Sequence, residues 1–141
     1  MNHKNILIYF LFISTSTFSQ SFGDKNFYLI DSLNLTELSK NDRDIIDSCL
    51  TIFHTETHPT NKANSLGFIC DNIAHPTWTK FQVYQFEFLK QELTKEYQEK
   101  EIRELKEYLT SALSNLGLMY LELGDYSKAQ EMFLESLQLS E

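Results

Sequence analysis

Gly117 and Gly124 stand seven residues apart in LSNLGLMYLELGDYSKAQEMFLESL, the stretch from Leu113 to Leu137, and this spacing constrains the chain more than any other feature. Leu113, Leu116, Gly117 and Tyr120 recur at three- and four-residue intervals, so they share one face of a helix. Gly124-Asp125 supplies a short turn, and Ala129, Phe133 and Leu137 recur every fourth residue on one face of the next helix. Small residues set how closely two helices approach, and large ones beside them fix the crossing. The pattern therefore predicts an antiparallel helix pair in contact at Gly117 and Ala129, with Tyr120 and Phe133 wedged alongside. The fold class that follows is all-α.

These residues resemble the tetratricopeptide repeat, a helix pair of about 34 residues. Leu116-Gly117, Tyr120, Gly124-Asp125-Tyr126, Lys128-Ala129, Phe133 and Leu137 stand at the family's signature positions. The chain departs from the pattern at Leu113, where the family usually has Trp, at Ser136, its second small residue in the second helix, and at Glu141, where its closing Pro would fall. One repeat would span residues 110–141. The resemblance implies a solenoid of antiparallel helix pairs. It also implies a partner groove on the first helix of the pair, which here carries Ser111, Ser114, Leu118 and Leu121. The family's groove often holds a C-terminal carboxylate with Lys and Asn, whereas this chain offers Ser and Leu.

Upstream, residues 41–109 read as further helices. NDRDIIDSCLTIFH places Ile45, Ile46, Cys49, Leu50 and Phe53 on one stripe, with Asn41 as the expected cap and Asp42 and Asp44 in the first turn. NKANSLGFICDNIA, with Thr60 or Asn61 as the expected cap, turns Ala63, Leu66, Gly67, Cys70 and Ile73 or Ala74 inward, after Pro59 as punctuation and before Pro76 as a stop. From Trp78 an apolar stripe runs through Phe81, Tyr84, Phe88, Leu89, Leu93 and Tyr97. It slips phase between Tyr97 and Ile102, so a break is expected in residues 96–100. Leu66-Gly67 reads as a degenerate copy of Leu116-Gly117, 50 residues earlier. The excess over one repeat is assigned to KQELTKEYQEKEIREL, expected as a long charged connecting helix. IIDSCLTIFHTETHPTNKANSLGFICDNI and PTWTKFQVYQFEFLKQEL also resemble the N-terminal sensor regions of Bacteroidota-type signalling proteins. In those, repeats follow a signal peptide and precede a membrane helix and a kinase, cyclase or DNA-binding output module.

The first twenty residues fit that layout. Lys4 precedes eight unbroken apolar residues, Ile6 to Ile13, and Thr17 and Ser19 are small residues before Gln20. This is the arrangement of a signal peptide over residues 1–19, too short for a spanning helix. Residues 20–40 have weak periodicity and are expected to begin as a mobile leader, ordered from about Leu33. Asn34-Leu35-Thr36 matches a glycosylation sequon, which matters only in a eukaryotic secretory path. Export would permit a disulfide between Cys49 and Cys70, but both sit in apolar stripes and are not level in a simple hairpin, so two small buried residues are expected.

Little in the chain points to catalysis. His54, Glu56 and His58 lie in HTETHP without the order of a zinc protease, and Pro59 makes that stretch turn-like. Asp42, Asp44 and Asp47 lack the glycine and terminal glutamate of a calcium loop. No serine or cysteine triad is suggested by spacing, no cofactor or metal is expected, and no enzyme activity is expected of this segment. A net charge of −8 with no basic run excludes nucleic acid as an expected partner. The expected function is therefore an exported protein-interaction module, the sensing part of a receptor whose membrane segment and output module would follow residue 141. A free-standing periplasmic scaffold is the alternative. The expected partner is a protein or peptide, or a second copy docking on the repeat's uncovered last helix.

Overall fold

The computed structural model describes residues 21–140. The expected signal peptide and Glu141 lie outside the described residues. Six helices follow one another: α1 (Lys25–Tyr28), α2 (Lys40–Thr55), α3 (Pro59–Asn72), α4 (Trp78–Glu92), α5 (Glu99–Glu122) and α6 (Tyr126–Ser140). An isolated antiparallel bridge between Phe22 and Asn34 is the one β pairing among the described residues. The all-α fold read from periodicity is thus the fold observed.

Short links make sequential neighbours antiparallel, and cross-helix contacts fix the direction. Asp42 at the start of α2 accepts a hydrogen bond from the Ala74 N–H just past α3, at 3.0 Å. Gln85 in α4 reaches back to the Ala63 carbonyl of α3, at 2.9 Å. Asn115 in α5 donates to Gln82 of α4, at 3.3 Å. His58 at the start of α3 faces Glu101 at the start of α5 across 3.6 Å, so these two alternate helices run parallel. The α3 helix therefore touches α2, α4 and α5.

Two of the helix starts differ from expectation for local reasons. Ser39, rather than Asn41, caps α2, its hydroxyl accepting from the Asp42 N–H at 3.0 Å. Pro59 does not merely punctuate: it opens α3 as its first residue, where a missing N–H costs nothing and the fixed φ suits the helix. Each acid of the expected helix-start cluster has a separate structural partner. Asp42 takes the Ala74 N–H, Asp44 pairs with Lys40 at 2.7 Å, and Asp47 accepts from the Tyr28 hydroxyl at 2.9 Å.

The leader expectation is corrected. Residues 21–38 fold back as a packed strap, because Tyr28, Ile30, Leu33 and Leu35 have apolar surface to bury and α2, α3 and α4 offer a receiving face. The strap is pinned by His54, whose imidazole bonds the Phe27 carbonyl at 2.8 Å and stacks on the Phe27 ring. Asn34 is occupied locally, its amide oxygen accepting from the Thr36 N–H and hydroxyl.

The charged connecting helix is also corrected. KQELTKEYQEKEIREL is interrupted at residues 93–98, three residues before the expected break begins. Glu92 explains the position. Its carboxylate, nearly buried, accepts from Lys95 and from the Tyr97 hydroxyl, and so ties the link into a closed turn. Burial alone would raise this carboxyl, but those two hydrogen bonds outweigh it and hold the group below the usual glutamate range. The same bond pushes Tyr97 up to about 12. What remains of the long helix is α5, whose first half turns its charged side chains to water and already buries Leu105 and Leu109 in the core.

The interior divides into two apolar clusters. One joins the strap, α2, α3 and Phe81 of α4; the other joins Ala63 and Leu89 to Leu105, Leu109, Ala112 and Leu113 of α5, with Met132 and Leu139 of α6 against it. Between them lies a polar seam. Gln82 is wholly buried and donates to Gln85 at 3.1 Å, and Gln85 continues to α3. Buried amides cost free energy unless paired, so this chain of bonds fixes the register of α3, α4 and α5.

Candidate functional site

The α5/α6 hairpin carries the residues that the sequence singles out. Gly124 takes φ +75°, a left-handed conformation that L side chains rarely adopt, and it stops α5. The Asp125 N–H reaches the Tyr120 carbonyl at 2.9 Å, and the Asp125 carboxylate accepts from the Lys128 N–H at 3.2 Å, opening α6. That N–H first, and the Lys128 ammonium next, hold the Asp125 carboxyl below its usual range. Lys128 also lies over the Tyr120 ring, 5.1 Å from its centre.

Gly117 lies against α6: a β-carbon there would stand 2.6 Å from the Phe133 ring, so the ring packs directly on the glycine and Gly117 makes room for Phe133. Ala129 is itself buried, one turn before Phe133. Leu113 and Leu116 are buried as expected and Tyr120 is half-buried. Tyr126, placed among the repeat signature, is 71% exposed and packs on nothing that covers it.

The expected groove residues separate. Ser114 is turned into the hairpin: its hydroxyl meets that of Ser136 at 2.9 Å, and Ser136 also donates to the Thr110 carbonyl at 3.0 Å. Two hydroxyls that satisfy each other can line a helix contact, which accounts for Ser136 at a position where the resembling family has another small residue. Ser111, Leu118 and Leu121 do face outward. Of the eleven exposed large hydrophobic side chains among the described residues, seven lie at the C-terminal hairpin: Leu118, Leu121, Leu123, Tyr126, Phe133, Leu134 and Leu137. Tyr126, Phe133 and Leu137 form one stripe along α6 at helical spacing. Isolated apolar side chains on a surface need no explanation, whereas their concentration on one hairpin is unusual for a surface.

Sequence reasoning missed a second feature. A groove of about 1050 Å³ opens between the strap and the outer side of α4, and is closed at one end by the end of α5. Trp78, Val83, Tyr84, Leu29, Met119 and Leu123 give it apolar walls. Val83 and Leu123 stand off the periodic stripes and could have signalled it, but half of the groove comes from a segment with no periodicity of its own.

The groups of HTETHP do not converge. His54 bonds the strap, Glu56 accepts from Asn61 at 3.0 Å and His58 faces Glu101. Among the described residues no cluster of three His, Cys, Asp or Glu side chains could hold a metal ion. Both cysteines are free thiols. Cys70, packed against α4 with its Sγ 3.8 Å from the Trp78 carbonyl, is pushed up to about 12, first by burial and then by the neighbouring Asp71. Such a thiol is a poor nucleophile. No described helix is long and apolar enough to cross a membrane. No protein family, curated protein or solved structure matches this chain.

Proposed function

We infer that this chain is a non-catalytic protein–protein interaction module of the tetratricopeptide type, serving as the extracytoplasmic sensing part of a signal-transduction protein. The open apolar face of α5 and α6 carries the reading. In a solenoid, each helix pair covers the outer face of the pair before it, so a pair with seven exposed large hydrophobic residues is built to receive another surface. The order of neighbours supports the same reading: α3 and α4 form one antiparallel pair, α5 and α6 another, and the two leading helices run parallel in contact. Binding a partner on this face would bias whatever the module is joined to. The sensing role and export rest on the N-terminal pattern of Lys4, Ile6–Ile13 and Ser19.

Two measurements test the reading. Sedimentation velocity of the described chain should show concentration-dependent association, abolished in the Leu134→Glu/Leu137→Glu variant. A monomer with a sharp thermal transition that does not move with concentration would sink the idea of an open docking face. Mass spectrometry of the exported chain should find the new N-terminus after Ser19. Retention of residues 1–19 would remove the sensing assignment while leaving the interaction module in place.

A further inference from the structure

The groove on α4 has the chemistry of a binding site; it shares no residue with the expected partner groove or with the α6 stripe, and only Leu123 with the exposed apolar set of the hairpin. Its apolar walls expose Trp78 and Tyr84 partly and Val83 and Leu123 openly. At the strap end Lys25 pairs with Asp31 at 2.7 Å, while Lys80 donates to the neutral Asp31 carbonyl at 3.0 Å and keeps its charge. The carboxylates of Glu87 and Glu122 form no ion pair with any described residue. Glu122 stands at the C-terminus of α5, whose last turn holds no basic residue, so the helix dipole adds negative potential at the same place. With two unpaired carboxylates against the one ammonium of Lys80, the groove is net negative, on a chain of net charge −8 that attracts cations from a distance.

We propose that the α4 groove binds a basic amphipathic helix of a partner protein, apolar side chains on Trp78, Val83, Tyr84 and Leu123 and Lys or Arg side chains on Glu87 and Glu122. The dimensions agree. Trp78 and Glu87 are nine residues apart on α4, about 14 Å, which matches two to three turns of a docked helix. A partner helix supplies its own backbone hydrogen bonds, so it can lie on apolar walls that offer few donors or acceptors.

Trp78 is the only tryptophan in the chain, so its emission reports this groove directly. The probe is a roughly 18-residue Leu/Lys peptide without aromatic residues, its leucines at three- and four-residue spacing. Saturable blue-shifting of Trp78 emission is expected. A Leu/Glu peptide of the same pattern, and a scrambled Leu/Lys peptide that cannot form one apolar face, should each bind about tenfold more weakly. Glu87→Gln/Glu122→Gln should weaken binding about fivefold and flatten its salt dependence. Val83→Asp, on an exposed position that leaves the fold intact, should abolish it. Leu134→Glu on α6 should leave it unchanged, which separates this groove from the docking face of the hairpin. Equal binding of the acidic or scrambled peptide would overturn the proposal, as would loss of the Trp78 signal in Leu134→Glu but not in Val83→Asp.

Discussion

The α3/α4 and α5/α6 hairpins use one geometric device and fill it differently. In each, a glycine of the first helix lies under a side chain of the second: Gly67 under the Gln85 amide, where a β-carbon would stand 3.0 Å from Nε2, and Gly117 under the Phe133 ring. Gln85 is buried and hydrogen-bonded on both sides, and α2, the strap and α5 surround its hairpin. Phe133 is 37% exposed, and its hairpin has neighbours on one side. Covering a contact demands that every polar group in it be paired. An open contact can be filled by an apolar ring that needs no polar partner. The closed hairpin is therefore a structural centre, and the open one is the face proposed above as an interface.

The largest expected effect tests burial itself. Phe81→Ala, at a wholly buried site of the closed hairpin, should cost about 4 kcal/mol in urea unfolding, while Phe133→Ala should cost about 1 kcal/mol. Similar losses would erase the distinction between the two hairpins. Next comes the polar seam. Gln85→Ala leaves the Gln82 amide without its acceptor in the interior and should cost about 2 kcal/mol. A neutral result would mean that the seam does not hold the helix register.

A smaller effect concerns the link between the hairpins. The folded Glu92 carboxyl lies below the ordinary glutamate range, so its ionised form is favoured by folding. That stabilisation is full above the unfolded-state value and is lost as pH falls through the lowered folded value. The stability gap between the native chain and Glu92→Gln should therefore shrink on acidification from pH 7 into that range. A constant gap would remove the turn-closing role. The smallest effect belongs to the open face. Leu134→Glu should change monomer stability by less than about 0.5 kcal/mol, because the side chain is half-exposed already. A large loss there would show that α6 is covered in the free monomer and is no docking face.

The difference between the hairpins also explains what could be read in advance. Leu113, Leu116, Gly117, Ala129 and Phe133 are apolar or small at regular intervals, so their roles were legible as periodicity. Gly67 was visible, but its partner Gln85 is polar, and hydrophobic patterning ranks such a residue as solvent-facing. Ser114 was misplaced for the same reason: a hydroxyl reads as outward until Ser136 is found opposite it.

Local spacing by itself determined the helical class, the α5–α6 turn at Gly124-Asp125 and the apolar stripes, because those depend on contacts within a few residues. Tertiary structure alone decided that residues 21–38 form a packed strap and that a groove opens between strap and α4. Each of these joins groups that no local period relates, as when Lys80 meets the Asp31 carbonyl 49 residues away. Such pairings carry no signature in either segment. They are selected only when the buried faces of the whole chain are satisfied together.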